Sequence, residues 1–197
     1  MTKIFFVFVM CVVVLSSCSK SNNPVLVTPA DTSIVMNHSL FEQGGKPSLN
    51  GWTFHPAQAD DTLDFEIDTP PGAGTWSFKL HTSDLLSAHN YVTRSFTNLA
   101  SGVYSLTAWL KYKYVLAQGT FPPGWISIVK TSGGISSAKI QFGDDSTNWH
   151  PQTLLDTLQL GTADTVTVLL SAGARSVSSN MHGNPMWIDD ITFKKLP

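Results

Sequence analysis

The hydrophobic residues of this chain recur at every second position in a series of short stretches. That alternation is the period of a β-strand, whose successive side chains point to opposite faces of a sheet. Gly, Pro, Asn and Asp fill the intervals between the stretches, as turns between strands require. The alternating residues are Phe65 and Ile67; Trp76, Phe78 and Leu80; Tyr104, Leu106, Ala108 and Leu110; Ile126 and Ile128; Ile140 and Phe142; Val166, Val168 and Leu170; and Ile191 and Phe193. No stretch has a convincing helical period.

About eight such stretches predict an all-β fold, an antiparallel β-sandwich of the jelly-roll type in a single domain. Composition favours the same fold, because charged residues make up 13% of the chain and aromatic residues 11%, and aromatic and β-branched residues suit strands. We place this domain at residues 33–197. The net charge of −2 gives no electrostatic footprint for nucleic acid, which we exclude as a partner.

The N-terminus has the pattern of an export signal. Lys3 precedes the apolar run Ile4–Leu15, which is too short for a hydrocarbon core that needs about 20 residues. Two serines and Cys18 follow. This ending resembles the lipobox of bacterial lipoproteins, in which the Cys receives a diacylglycerol and becomes the first residue of the mature chain. The alternative is an ordinary signal peptide with an incidental Cys.

The lipobox resemblance implies a signal peptide at 1–17 and, at 18–32, a lipid anchor followed by a flexible linker. The linker is rich in Ser, Asn, Pro and Thr, a composition typical of tethers. The residues after Cys18 are not acidic, so we expect an outer-membrane lipoprotein that faces the periplasm or the cell surface. The other Cys, Cys11, lies in the discarded segment, which leaves the mature chain without an internal disulfide.

Four short segments stand in a suggestive order along the domain. They are Asn37, Phe41, Glu42, Gly51 and Trp52; Gly102–Lys111; Asn148 and Trp149; and Trp187–Ile191. Together they resemble the strands of carbohydrate-binding modules with the galactose-binding-like jelly roll. The resemblance implies a sugar-binding domain. Arg94 departs from it, since such modules often have Gln there, and this puts the identity of the ligand in doubt.

The same resemblance implies a structural calcium ion, bound by Glu42 on the first strand and by Asp189 and Asp190 on the last. Calcium takes six to eight oxygen ligands, and the first and last strands of a jelly roll lie side by side. Strand parity puts Asp189 on the inward face of Ile191, where an unpaired carboxylate is costly. The alternative is that Asp189 accepts backbone hydrogen bonds and Asp190 is solvated.

A sugar site is predicted on outward-facing positions of neighbouring strands. Sugars present an apolar face and a rim of hydroxyls, so an indole flanked by amide, guanidinium and ammonium groups suits them. The predicted site residues are Trp109, Trp125, Gln141, Lys111 and Arg94. The alternative is that the aromatic residues lie beneath a long loop and belong to the core. Trp52 and Trp149 are assigned to packing.

Catalysis has no recognisable constellation, because the six histidines have no metal-ligand spacing and there is no nucleophile elbow. We therefore predict no enzyme, but a lipid-anchored protein that binds poly- or oligosaccharide. Its partners would be carbohydrate, the membrane through the anchor, and proteins of a glycan-utilisation or adhesion assembly. The alternative is a structural or adhesion lipoprotein with the same sandwich and no sugar site.

The anchor is directly testable by mass spectrometry of the membrane-extracted protein, which we expect to begin at an acylated Cys18. Two or three acyl chains anchor a protein stably, since each buried methylene contributes about 0.8 kcal/mol. Cys18→Ser should therefore release the protein from the membrane or block its processing. Unchanged membrane attachment of this variant would contradict the lipoprotein interpretation.

Overall fold

The computed structural model of the protein describes residues 34–59, 62–81, 89–112, 124–131, 136–142, 146–172 and 185–197. For 136–142, 146 and 147 it describes the backbone and not the side chains. The predicted signal peptide, the lipidation site Cys18 and the linker lie outside the described residues. In the described part of the chain, no helix is long and apolar enough to cross a membrane.

The described residues form thirteen β-strands. In chain order they are β1 (Ile34–Ser39), β2 (Glu42–Gln43), β3 (Lys46–Pro47), β4 (Thr53–His55), β5 (Asp64–Glu66), β6 (Ser77–Leu80), β7 (Tyr91–Thr97), β8 (Gly102–Tyr112), β9 (Gly124–Lys130), β10 (Ser136–Phe142), β11 (Ser146–Leu158), β12 (Thr165–Ser171) and β13 (Met186–Lys195).

The strands build two antiparallel sheets and one small hairpin. A six-stranded sheet has the order β11-β8-β13-β6-β5, with β1 paired to β13. A five-stranded sheet has the order β10-β9-β12-β7-β4, and β2 pairs with β3 in the hairpin. The predicted all-β, antiparallel jelly-roll sandwich is confirmed.

The core lies between the two sheets and consists of the residues that alternation predicted to face inward. Leu106 and Leu110 of β8 and Ile126 and Ile128 of β9 have no exposed surface. On each of these strands the intervening residues face outward. Alternation therefore separates an inner face from an outer face on both sheets, although Ser127 and Ser171 on the outer face of the five-stranded sheet are also buried.

Phe78 is the centre of an aromatic cluster at one end of the core. The ring of Phe41 stacks on it at 5.3 Å, and those of Phe65 and Phe54 meet it edge-on at 5.2 and 5.8 Å. Phe54 belongs to the five-stranded sheet and Phe65 to the six-stranded one, so the cluster joins the two layers. Trp52, which is 4% exposed, lies 5.9 Å from Phe41, and its predicted packing role is confirmed.

A β-bulge in β13 interrupts the alternation at Asp190. This residue has a φ of 45°, and the register with β8 shifts between Asp189 and Thr192. The parity that placed Asp189 on the face of Ile191 therefore does not hold across this point, because a bulge inserts one extra residue. Asp189 is nevertheless fully buried.

A pair of leucine substitutions tests the assignment of faces. Leu106 has no exposed surface, whereas Leu155 is 59% exposed on the neighbouring strand. Leu106→Ala should lower the free energy of unfolding by about 2–5 kcal/mol, and Leu155→Ala by less than about 0.5 kcal/mol. Urea denaturation measures both. Equal losses would contradict the inward and outward assignment.

Candidate functional site

The residues predicted to form one sugar site lie on two different sheets. Trp109 and Lys111 belong to β8 of the six-stranded sheet, whereas Trp125 and Gln141 belong to β9 and β10 of the five-stranded one. The outer faces of two packed sheets point away from each other. The prediction that Trp109 and Trp125 share a platform on neighbouring strands is therefore wrong.

Arg94 lies on the wrong face of its strand for the predicted site. It has the parity of Val92, which is fully buried on the same strand. Its guanidinium donates hydrogen bonds to Ser39 Oγ (3.2 Å) and to the Asn50 carbonyl (3.1 Å). A Cβ on Gly51, whose φ is 84°, would lie 3.4 Å from Arg94 Cζ. Arg94 thus fixes the turn before β4, a structural role.

Trp149 also differs from its prediction, because it does not pack in the core. It is half-buried and precedes His150, the register partner of the buried Leu110. Its Nε1 donates a hydrogen bond to Asp68 Oδ1 at 2.8 Å. Trp149 therefore lies on the outer face of the six-stranded sheet, beside Lys111.

The outer face of the five-stranded sheet brings together one residue from each strand. In the register of the sheet, each member stands opposite the next. We call this line the aromatic row, and it consists of His55, Tyr91, Ser171, Trp125 and Gln141. Of the predicted site residues, Trp125 and Gln141 belong to it, with the side chain of Gln141 outside the described part of the structure.

Ring groups flank the centre of the aromatic row on both sides. On one side the rings of His55 and Tyr91 are stacked, with centroids 4.5 Å apart and an interplanar angle of 11°. On the other side His89 meets Trp125 edge-on at 4.6 Å. Ser171, which has no exposed surface, lies between them, so two strand spacings, about 10 Å, separate Tyr91 from Trp125 along the sheet. The two ring pairs thus border a strip of short side chains.

Asn90 holds the row in place from behind. It is 2% exposed; its Oδ1 accepts a hydrogen bond from the Ala57 N–H (2.6 Å) and its Nδ2 donates to the His81 carbonyl (3.0 Å). Its own carbonyl accepts from Ser171 Oγ at 3.3 Å. Because Asn90 stands between His89 and Tyr91 in the chain, its burial fixes both neighbouring rings.

Hydroxyl groups cover the sheet next to the row. Thr93 accompanies Tyr91 on the same face, and its Oγ1 is 2.8 Å from His55 Nε2. One step further along the strands, Ser95 Oγ lies 2.8 Å from Thr167 Oγ1. A hydroxyl both donates and accepts hydrogen bonds. The face therefore combines flat aromatic rings, two of them imidazoles, with small uncharged polar groups.

Tyr91, His55 and His89 are members of this site that the sequence did not reveal. The strand β4 is three residues long, which is too short for an alternation to be recognised. The available signal for Tyr91 was the apolar, β-branched Val92 next to it, because an inward Val92, which the structure shows to be buried, places Tyr91 outward on the same strand.

The carboxylates predicted to bind calcium are only partly brought together. Among the described residues, no three His, Cys, Asp or Glu side chains are grouped closely enough to hold a metal ion. Asp190 is diverted, because its Oδ1 lies 2.7 Å from His38 Nδ1. Asp189 and Glu42 remain close enough that the charge of Glu42 contributes to raising the pKa of Asp189.

Asp189 is an unusual buried acid. Its Oδ1 accepts a hydrogen bond from the Phe41 N–H at 3.4 Å, but its buried Oδ2 has no hydrogen-bond partner. Burial, reinforced by the charges of Asp190 and Glu42, raises the pKa of Asp189 to about 7. An orphaned oxygen in such a place calls for a proton or a cation.

The carboxylate of Glu42 is held by backbone N–H groups and not by cationic side chains. Its Oε2 accepts hydrogen bonds from the N–H groups of Thr75 (2.6 Å) and Trp76 (3.3 Å). A Cβ on Gly74 would lie 2.4 Å from Glu42 Cδ, so a larger residue there would displace the Glu42 carboxylate from this position. The two carboxylates Asp189 and Glu42 fit a calcium site that takes its other oxygens from backbone carbonyls and water.

The sequence matches no protein-family model, and no curated protein is significantly similar to it. Solved structures do match. TmCBM61, solved in complex with β-1,4-galactotriose, is 15% identical over 82% of this chain and 99% of its own, with a TM-score of 0.50. The CBM22-1 xylan-binding domain of Paenibacillus barcinonensis Xyn10C is 15% identical over 84% of this chain and 97% of its own, also at 0.50.

The chain has the fold of carbohydrate-binding modules. The same fold occurs in the enzymatically active domain of tailspike protein 4 of bacteriophage CBA120, which is 15% identical over 81% of this chain with a TM-score of 0.52. This chain spans 21% of that protein's length. Since the fold serves both binding modules and an enzyme, function has to be argued from the side chains of the site.

Proposed function

We propose that this protein is a lipid-anchored, non-catalytic carbohydrate-binding protein whose ligand lies across the aromatic row. The observation that carries the proposal is the placement of two ring pairs, His55 with Tyr91 and His89 with Trp125, on either side of Ser171 on an outer sheet face. The hydrophobic core cluster contains none of these four rings. Their contribution to core packing is therefore small.

The chemistry of the face suits a sugar chain. A pyranose ring stacks its C–H face on an aromatic ring, and its hydroxyls pair with hydroxyl and amide groups beside the ring. The outward positions of β4, β7, β9 and β12 are mostly Thr and Ser apart from the rings, and none of them is Asp or Glu. Glycoside hydrolysis usually needs two carboxylates, so this composition supports binding without cleavage of a neutral glycan.

The matching structures support the same class of ligand. One was solved with β-1,4-galactotriose and another is described as xylan-binding. Both of these ligands are oligomers or polymers of neutral sugars. A row that crosses five strands would favour an extended ligand of this kind. The predicted anchor at Cys18 would hold such a domain at the outer membrane, where glycan-utilisation or adhesion proteins are its expected neighbours.

Affinity gel electrophoresis on soluble xylan, β-1,4-galactan and mixed-linkage β-glucan tests the proposal. The wild-type protein should be retarded by at least one of them. Tyr91→Ala and Trp125→Ala should each weaken binding at least tenfold, about 1.4 kcal/mol, because each removes one ring from one of the two ring pairs. Their melting temperatures should stay within a few degrees of the wild type.

Trp76→Ala is the matched control, since Trp76 is a half-buried indole on another part of the surface, with its Nε1 donating to the Gly45 carbonyl. It should bind as the wild type does. If Tyr91→Ala and Trp125→Ala bind no more weakly than Trp76→Ala, the aromatic row is not a sugar site. Absence of any binding by the wild type would favour the structural or adhesion alternative.

Calcium is the second element of the proposal, and Asp189 and Glu42 are the side chains that would hold it. The orphaned Oδ2 of Asp189 supports this placement, whereas Oδ1 of Asp190 already contacts His38. The ion would supply the charge that the buried Asp189 and the nearby, half-buried Glu42 need, and it would join β13 to the segment that follows β1. Its role would be structural.

Calcium removal gives a measurable stability change. A ligand that binds only the native state stabilises it by about 2.7 kcal/mol at a hundredfold excess over Kd, so chelation should lower the melting temperature and calcium should restore it. Asp189→Asn should abolish this response. No response of the wild-type protein, with no calcium by elemental analysis, would contradict the site.

The chelated protein should also respond to pH through Asp189. Its folded pKa, about 7, lies above the ordinary value of 3.8, so the folded state binds the extra proton. The stabilising effect is complete below pH about 4 and is lost as the pH rises through about 7. In chelator, Asp189→Asn should therefore gain stability relative to the wild type between pH 5 and pH 8, as measured by urea denaturation. A difference in the free energy of unfolding between the two proteins that does not change with pH would show that Asp189 does not titrate in this range.

A further inference from the structure

The outer face of the six-stranded sheet carries three tryptophans on three adjacent strands. Trp149 lies on β11, Trp109 on β8 and Trp187 on β13. None of them belongs to the hydrophobic core, although Trp187 is only 9% exposed. This face is opposite to the aromatic row and shares no residue with it.

Two lysines fill the spaces between these rings. The Nζ of Lys111 lies 4.5 Å from the ring centroid of Trp187 and 5.9 Å from that of Trp149. The Nζ of Lys79 lies 5.3 Å from Trp187 on its other side. Ammonium groups are attracted to aromatic faces, so the order Trp149, Lys111, Trp187, Lys79 forms a continuous stack across the sheet.

Each of the two tryptophans in this stack donates a hydrogen bond to a carboxylate that also accepts one from a lysine. Asp68 accepts hydrogen bonds from Trp149 Nε1 at 2.8 Å and from Lys111 Nζ. Glu66 accepts from Trp187 Nε1 at 2.7 Å and from Lys79 Nζ. Burial opposes ionisation, but these hydrogen bonds outweigh it and lower the pKa of both carboxyls. The charges of the stack are therefore paired and its rings are fixed.

Trp109 differs from the other two tryptophans. It is half-buried, and its neighbours in the register are Pro151 on β11 and Asp189 on β13. Among the described residues, none accepts a hydrogen bond from its Nε1. Lys111 is two residues further along the same strand face, about 7 Å away. Trp109 therefore presents its half-buried indole ring beside a preorganised polar group.

We propose that Trp109 and the adjoining Lys111–Asp68 pair form a second carbohydrate-binding face. The proposal rests on the proposed function for the class of ligand, but on none of the same residues. A sugar ring would stack on the indole of Trp109, and its hydroxyls would accept from Nε1 and from Lys111 and donate to Asp68. Because Lys111 and Asp68 neutralise each other, the face suits a neutral glycan rather than an anionic one.

Two binding faces on opposite sides of one sandwich would make the domain bivalent. One domain could then hold two polysaccharide chains, or two segments of one chain. Binding at the second face becomes intramolecular after the first contact, so avidity for a polymer exceeds the affinity for a short oligosaccharide. This difference between polymer and oligomer is the signature to be measured.

The test compares variants by affinity electrophoresis and by turbidity on soluble xylan, β-1,4-galactan and mixed-linkage β-glucan. Trp109→Thr is the main variant, because Thr suits a strand and occupies the neighbouring outward position 107. It should weaken polysaccharide binding at least fivefold and abolish cross-linking of polymer into turbid aggregates. Trp109→Phe, which keeps a ring, should restore most of both.

The double variant of Tyr91→Ala and Trp125→Ala separates this proposal from the first. It should keep a residual retardation that is lost when Trp109→Thr is added.

If Trp109→Thr binds and cross-links like Trp76→Ala, the second face is overturned while the first stands. If the double variant binds as the wild type does and Trp109→Thr loses binding, the first face is wrong and the second stands. A lower melting temperature of Trp109→Thr with unchanged binding also overturns the second face, since the ring is then structural.

Discussion

The six-stranded sheet depends on its last strand, β13. This strand pairs with β8 along one side and with β6 and β1 along the other. Because β1 begins at Ile34 and β13 ends at Lys195, the sheet closes only when the two ends of the domain meet. That closure buries Phe41 and Phe193 in the core and places Asp189 against the Phe41 backbone. Contacts of such long sequence separation make folding slow, and a cation at Asp189 would stabilise the join.

The alternation of hydrophobic residues predicted strands and faces well. Leu106 and Leu110 face inward with Trp109 between them, and Ile126 and Ile128 do the same beside Trp125. A period of two contains no information about which strands pair, so the division of Trp109 and Trp125 between two sheets could not be read from it. The sequence analysis placed Trp109 and Trp125 in one site because it lacked the information on strand pairing.

Two further errors have local causes. Arg94 is half-buried because Ser39 and the Asn50 carbonyl satisfy its guanidinium, and no pattern in the sequence announces such partners. The position of Asp189 depends on the bulge at Asp190, whose φ of 45° is uncommon for a residue other than glycine. His55 was missed because β4 is three residues long, too short to show a pattern.

The two outer faces divide different chemistry between them. The five-stranded sheet presents rings and hydroxyls, whereas the six-stranded sheet presents indoles whose neighbouring charges are paired. The two inner faces are apolar and determine the fold, which is shared with binding modules and with an enzyme. The proposed sugar binding would therefore depend on side chains outside the hydrophobic core, so that binding and stability could be changed separately.

The indole N–H resonances of the protein measure the central claim most directly. The chain has six tryptophans, and each gives one such signal in a two-dimensional NMR spectrum. Titration with xylo- or galacto-oligosaccharides should move the signal of Trp125 progressively and leave that of Trp52, which is 4% exposed in the core, unchanged. A Trp125 signal that stays fixed at saturating oligosaccharide would contradict a sugar site on the aromatic row.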